Sequence, residues 1–269
     1  IREEIAQYYT SVRRADQSVG RVLTALKETE FEDNTFVLFL SDNGISVPFS
    51  KTNCYLNSTK SPYIARWPGK IKTSGITNAL VNGIDFTPTI LDILGLEKIE
   101  EVDGKSFLPV LFGAQEHHED IFTLFFKTNN NKITGRALSF PMRCVQSKNY
   151  TYIFNSWSDG RTTFLNESTA GMTYQAMKEA AKSDSKIASR VELFEHRVTE
   201  ELYNNVEDPD ALNNLVDSPI HQKILDSLRQ RMYDYMKNSR DALIDDYCTK
   251  VMMSNYDRNR WGVAPINDK

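Results

Sequence analysis

Cysteine is scarce in this chain: three among 269 residues, at Cys54, Cys144 and Cys248, with no CxxC pair. An odd, scattered count supplies neither a disulfide framework nor a cysteine zinc site. No apolar stretch approaches the ~18 residues that span a bilayer, and no segment has the order of a signal peptide. No basic run occurs, and the formal net charge is -4, which weighs against nucleic acid or an anionic membrane surface as partner. Fixed-period repeats and low-complexity tracts are missing too. The chain opens Ile1-Arg2-Glu3-Glu4 with no methionine, so a fragment or a processed chain is expected. What is present is ordinary for a folded protein, 40% hydrophobic and 25% charged. This length can bury a good core in one large domain or two. Sequons start at Asn57, Asn149 and Asn166; they matter only in a secreted eukaryotic protein.

The stretch Phe36-Val37-Leu38-Phe39-Leu40-Ser41-Asp42-Asn43-Gly44 is the organising feature. An apolar run without alternation predicts a strand buried on both faces, as in a parallel sheet. Its carboxyl end delivers Asp42 and Asn43, and Gly44 allows a sharp turn. Ligands of open α/β sheets bind beyond the carboxyl ends of strands. Adjacent Asp and Asn oxygens suit Ca²⁺ or Mg²⁺ better than a soft metal. The same residues also read as an Asp-Asn-Gly turn closing a hairpin.

Around this strand the periodicity predicts a helix over 2–28, with Ile5, Tyr8, Val12, Val19, Val22 and Leu26 on one face. Asp16 is expected as a structural acceptor within it. A loop over 45–60 holds Lys51 and Lys60, which read either as solvated lysines or as cations for a metal-bound anion. Strands are expected at 62–67 and 78–84. A helix over 88–94 has Asp85 or Thr87 to cap it, Pro88 in its first turn and Gly95 at its stop. The polar run 113–120 marks a subdomain boundary. Within it the neighbours His117 and His118 are expected to point different ways and not to share a metal. Short strands at 121–126, 137–140, 142–145 and 150–155 predict an antiparallel sheet. Helical patterns follow over 169–195 and 219–236, and the tail with Asn255, Asn259 and Trp261 has no period.

Six pieces in order resemble the later part of a type I sulfatase: Tyr8-Tyr9 through Leu26; Asn34 through Gly44; Arg66-Trp67-Pro68-Gly69; Asp85-Phe86-Thr87-Pro88-Thr89-Ile90-Leu91; Asp103-Gly104-Lys105-Ser106-Phe107; and Glu201-Leu202-Tyr203 with Asp208-Pro209. Together they cover most of the chain. Gly44-Ile45, Pro48-Phe49, Lys51-Thr52-Asn53 and Ser139-Phe140-Pro141-Met142-Arg143 are most similar to the heparan N-sulfatase (sulfamidase) branch.

The resemblance implies an α/β, alkaline-phosphatase/sulfatase-like α/β/α core over 1–116. A smaller antiparallel sheet with packed helices is implied over 117–269. It implies hydrolysis of a sulfate ester or N-sulfate on a glycan, with heparan-type glucosamine favoured. The cofactors implied are Ca²⁺ (or Mg²⁺), with Asp42 and Asn43 as ligands, and a formylglycine made from Cys or Ser. Lys51 is implied as a sulfate contact. A periplasmic, secreted or lysosomal place follows from the family alone. The formylglycine motif Cys/Ser-x-Pro-x-Arg is not found upstream of residue 36. Ser139-Phe140-Pro141-Met142-Arg143 satisfies it in letters but follows the metal strand, so it is not expected to be the nucleophile. The chain is therefore expected to be a C-terminal portion without turnover of its own, with an exposed sheet edge and a tendency to self-associate. Two other classes stand beside it: a zinc phosphatase or phosphodiesterase of the same superfamily, and a non-catalytic glycan-binding or structural domain.

Overall fold

A computed structural model of the chain describes residues 1–71, 75–114, 116–125, 128–130 and 137–253. The predicted tail residues and Phe126 lie outside them. The first helix, α1 (Arg2–Lys27), carries Glu3 and Glu4 in its first turn and Lys27 in its last, matching the helix dipole. It ends near its predicted limit, but its apolar stripe is not covered. No residue of α1 is buried; Tyr9 is 66% and Val22 67% exposed. Asp16 is exposed as well. The helix is tied down at its start: Glu4 Oε2 accepts the Thr173 backbone N–H at 2.9 Å.

Strand β1 (Val37–Leu40) pairs with β2 (Tyr63–Arg66) in antiparallel register, Leu40 opposite Tyr63. This corrects the expected parallel, doubly buried strand. Among the described residues β1 pairs with β2 alone, and Phe39 and Leu40 are 42% and 46% exposed. A continuous apolar run reports a preference for burial on two faces, not that the covering layers are in place. The hairpin alternative also fails, because the chain makes a long excursion, including α2 (Leu56–Thr59), before β2.

Residues 78–84 do not form the predicted strand. Among the described residues they contribute one bridge, Leu80 to His118, and a short 3-10 turn, Gly83–Asp85. Asn82 and Asp85 exchange side-chain and backbone hydrogen bonds there, a capping box that leads into α3 (Phe86–Ile93). The short helix α4 (Leu108–Leu111) follows.

The packed centre lies in the second half. Strands β3 (Ile121–Phe125), β6 (Met142–Gln146), β7 (Tyr150–Asn155) and β8 (Glu200–Asn204) form one antiparallel sheet in the order β3-β6-β7-β8. Between β3 and β6, β4 (Thr128–Asn130) and β5 (Ala137–Ser139) form a separate pair. The predicted strands at 121–126, 142–145 and 150–155 join in the small antiparallel sheet, with β8 added, whereas the one predicted at 137–140 pairs with β4 outside it. Side chains alternate across it. Met142, Cys144 and Ile153 face a cluster with Phe49, Tyr55, Phe140, Phe164, Tyr174 and Phe194. Val145, Tyr152 and Phe154 face the other side, against Leu225, Leu228, Met232 and Met236. Helices α5 (Met172–Ala180) and α6 (Ser185–His196) belong to the first face, and α7 (Gln222–Asn238) and α8 (Ile244–Tyr247) to the second. Phe49, Cys54 and Tyr55 thus carry the loop after β1 into the core of the later sheet, across the boundary drawn at 116–117.

Candidate functional site

The site loop starts where β1 ends. The ladder runs one step further, Ser41 N to Pro62 O at 3.3 Å, and places Asp42 beyond the strand's carboxyl end. Asp42 is exposed, with Oδ1 accepting the Asn43 N–H at 2.9 Å. Asn43 is half-buried and donates its Nδ2–H to Gly44 O at 2.8 Å, which turns its amide oxygen the other way. Neither residue is buried, and the pair offers two hard oxygens.

Gly44 is needed here for space rather than for a left-handed turn. A Cβ on it would lie 2.1 Å from the Asn57 carbonyl oxygen and 2.2 Å from that of Ser50. That close approach brings the Asp42-Asn43 turn against the segment just before Lys51. Asp42, Asn43 and Lys51 are therefore gathered in one region by contacts of the backbone between them.

Lys51 is held by its own neighbours. Asn53, buried, donates from Nδ2 to Lys51 O at 2.7 Å and accepts the Tyr55 N–H at 3.0 Å. Thr52 sits at φ 58°, and Asn166 donates to its hydroxyl at 2.6 Å. The Lys51 ammonium lies 3.3 Å from Glu167 with about a third of its side chain exposed. It is a mobile-ended cation at a rim, able to exchange a carboxylate partner for another anion. Lys60 is exposed at the end of the same loop.

Beneath the loop is a buried polar cluster that sequence reasoning missed. Glu201 is fully buried, yet it accepts three hydrogen bonds: Tyr55 Oη at 2.6 Å, Tyr203 Oη at 2.5 Å and Asn155 Nδ2 at 2.8 Å. Arg197 donates to the Tyr55 hydroxyl, and its guanidinium carbon lies 4.8 Å from the Tyr55 ring centre and 5.3 Å from that of Phe49. Arg190 stacks on the other contact of Phe49, at 3.5 Å. Cation–π attraction here acts away from water, where it is strongest. Burial pushes the Tyr55 and Tyr203 phenols well up, so both stay protonated as donors. The partial signal was the Glu201-Leu202-Tyr203 motif, which marked β8 but not what its carboxylate holds.

The literal Ser-x-Pro-x-Arg match has a structural use. Arg143 is buried and forms a bidentate pair with Asp241, Nε to Oδ2 at 2.6 Å and Nη2 to Oδ1 at 2.9 Å. Burial, the largest single cause, works to raise the Asp241 carboxyl, but the Arg143 hydrogen bonds, the Leu243 N–H and the Arg143 charge together bring it below its ordinary value. Of the sequons, Asn57 and Asn149 are exposed, whereas Asn166 is buried and caps the turn at Ser168. Asp85 proves the structural hydrogen-bonder it was expected to be, fully buried and accepting from Asn82 N and Lys105 N at 2.8 Å each. His117 and His118 correct the expectation: their rings converge instead of diverging. Both Nε2 atoms reach Asp85 Oδ2, at 3.3 and 2.8 Å. Adjacent residues diverge only where the chain is extended, and here the backbone turns at a bridge to Leu80.

The family model "Sulfatase" matches residues 2–96. The chain is 29% identical over 243 residues to an ulvan-active sulfatase of Formosa agariphila, covering 90% of this chain and 45% of that protein. It is 29% identical over 264 residues to human N-sulphoglucosamine sulphohydrolase, covering 90% and 49%. The chain thus spans about half the length of the curated relatives it matches. Among solved structures, BT4656, in complex with its substrate D-glucosamine-2-N,6-O-disulfate, superposes with a TM-score of 0.62 at 20% identity, over 87% of this chain and 40% of that one. BT1596, a 2-O glycosaminoglycan sulfatase, gives 0.61 at 22%, over 93% and 45%. At such identities the likeness is one of fold: the α/β alkaline-phosphatase/sulfatase-like arrangement.

Proposed function

We propose that this chain, whose residues 2–96 match the sulfatase family model, is part of a longer enzyme that hydrolyses sulfate from a glycan, as an ester or an N-sulfate. Heparan-type glucosamine is the favoured substrate, supported by the 29% identity to human N-sulphoglucosamine sulphohydrolase over 90% of the chain. The observation that carries the proposal is the pair of exposed Asp42 and half-buried Asn43 at the end of β1, packed through Gly44 against the Lys51 segment. Two adjacent oxygens make up only part of the six to eight that Ca²⁺ takes. Their hardness and exposure fit such an ion, with the other ligands supplied from outside this chain.

In that enzyme Asp42 and Asn43 hold one side of a divalent cation, Ca²⁺ first and Mg²⁺ second. The cation, when bound, stabilises negative charge on the sulfuryl oxygens. Lys51 leaves Glu167 to donate hydrogen bonds to the same oxygens, which gain charge as a nucleophile adds to sulfur and lose it again as the S–O or S–N bond breaks and its electron pair departs with the sugar oxygen or nitrogen. Glu201, Tyr55 and Arg197 position the loop and touch no substrate. A formylglycine nucleophile would come from the longer protein: the three cysteines are buried, and the one Ser-x-Pro-x-Arg match, at exposed Ser139, follows the metal strand. The place of action is periplasmic, secreted or lysosomal; no helix among the described residues is long and apolar enough to cross a membrane.

The test is sulfate release by the longer protein from N-sulfated and O-sulfated glucosamine, with and without chelator. Release that chelator stops and Ca²⁺ restores is expected, strongest on the N-sulfated sugar. No release from either, or release indifferent to chelator, overturns the assignment.

A further inference from the structure

Asp85, His117 and His118 come from the turn before α3 and from the linker before β3, yet their ligand atoms all lie within 4.8 Å of one another. Asp85 is fully buried, the His117 side chain is 2% exposed and that of His118 23%. The two rings meet edge to face, 4.3 Å between centres. Close backbone packing builds the cradle: a Cβ on Gly104 would lie 2.0 Å from the Ile84 carbonyl oxygen. The His118 N–H reaches Leu80 O at 3.3 Å.

We propose that Asp85, His117 and His118 form a second metal site, for a borderline transition ion such as Zn²⁺ rather than for calcium. Two imidazole nitrogens and one carboxylate oxygen are a zinc donor set. Bond lengths of about 2.0–2.1 Å to a tetrahedral ion place neighbouring ligand atoms about 3.3 Å apart. The His117–Asp85 gap is already 3.3 Å, and the His118–Asp85 gap of 2.8 Å has about half an ångström to open. The Lys105 and Asn82 N–H groups that bind Asp85 fix its carboxylate as second-shell partners do. In the loaded site each neutral ring carries its proton on Nδ1. Partial exposure of His118 leaves a path for the ion and a fourth position for water. A bound ion would staple the linker, and through it β3, to the turn before α3.

This site shares no residue with the Asp42-Asn43 pair, so each can fail alone. The full-length protein, dialysed against chelator, is titrated with Co²⁺ and followed by the visible absorption of tetrahedral cobalt. One equivalent is expected to bind, to be displaced by Zn²⁺ and to survive excess Ca²⁺. His118→Gln, at a partly exposed position, should weaken it at least about tenfold with an unchanged far-ultraviolet spectrum. Asp42→Ala should leave it intact. Absence of the cobalt band overturns the proposal and leaves a hydrogen-bonded clamp. So does a band that survives both His117→Gln and His118→Gln, or one lost with His196→Gln, whose ring lies in a separate cluster with Glu192 and Glu195.

Discussion

Replacing Tyr55 by phenylalanine removes one oxygen atom from beneath the site loop. That oxygen donates to buried Glu201 at 2.6 Å and accepts from buried Arg197. A hydrogen bond to a charged group contributes about 1.5–3 kcal/mol, and an unmet buried charge costs more than an unmet neutral group. Glu201 keeps two donors, Tyr203 and Asn155. Arg197 keeps none from Tyr55, and its Nε and Nη2 already lack an acceptor among the described residues. The ring itself stays, with its contacts to Phe49 at 5.2 Å and Tyr203 at 5.8 Å. The expected loss is about 2–4 kcal/mol. Urea denaturation measures it, provided the slope is unchanged. Tyr174→Phe is the control: its hydroxyl meets Glu195, which also pairs with Lys178 near the surface. Its loss should stay near or below about 1 kcal/mol. If Tyr55→Phe unfolds within about 0.5 kcal/mol of the parent, the buried cluster does not hold the loop.

Gly44→Ala should cost about 1–3 kcal/mol by overpacking, and abolish turnover of the longer protein, because its Cβ meets two carbonyl oxygens near 2 Å. Normal turnover and stability would show that the loop is not clamped there. Arg143→Met should cost about 3–5 kcal/mol by leaving Asp241 buried and unpaired. Because the folded Asp241 pKa lies below its ordinary value, the stability it lends is present above about pH 4 and is lost as pH falls through the folded value. That acid-side slope should therefore flatten in Asp241→Asn, and an unchanged slope would refute the assignment. The three thiols are buried, with Cys54 pushed up to about 12 by burial. Thiol reagents should label them only on unfolding. The exposed β1 residues and bare α1 face predict concentration-dependent association of this chain in sedimentation, and a strict monomer at high concentration would contradict it.

Local chemistry in this chain was readable; its long-range partners were not. The period of α1, the first-turn Pro88 of α3 and the short strands 142–146 and 150–155 all follow from neighbours in sequence. So does Asp42-Asn43 at a strand end. Burial does not follow, because a pattern such as Val37-Leu38-Phe39-Leu40 says which surface is apolar and not what covers it. Nor do pairs such as Tyr55 with Glu201 or Asp85 with His118, whose meeting depends on the folded path between them. By the rule that neighbouring side chains diverge the two histidines are not expected to meet, and a single bridge at Leu80 reverses it.

The most direct measurement is a calcium titration of the longer protein beside its Asp42→Ala variant, with sulfate release from N-sulfated glucosamine read in the same samples. Loss of both calcium affinity and sulfate release in the variant is the predicted result. Calcium binding and turnover that match the parent would contradict the placement of the cation at the end of β1.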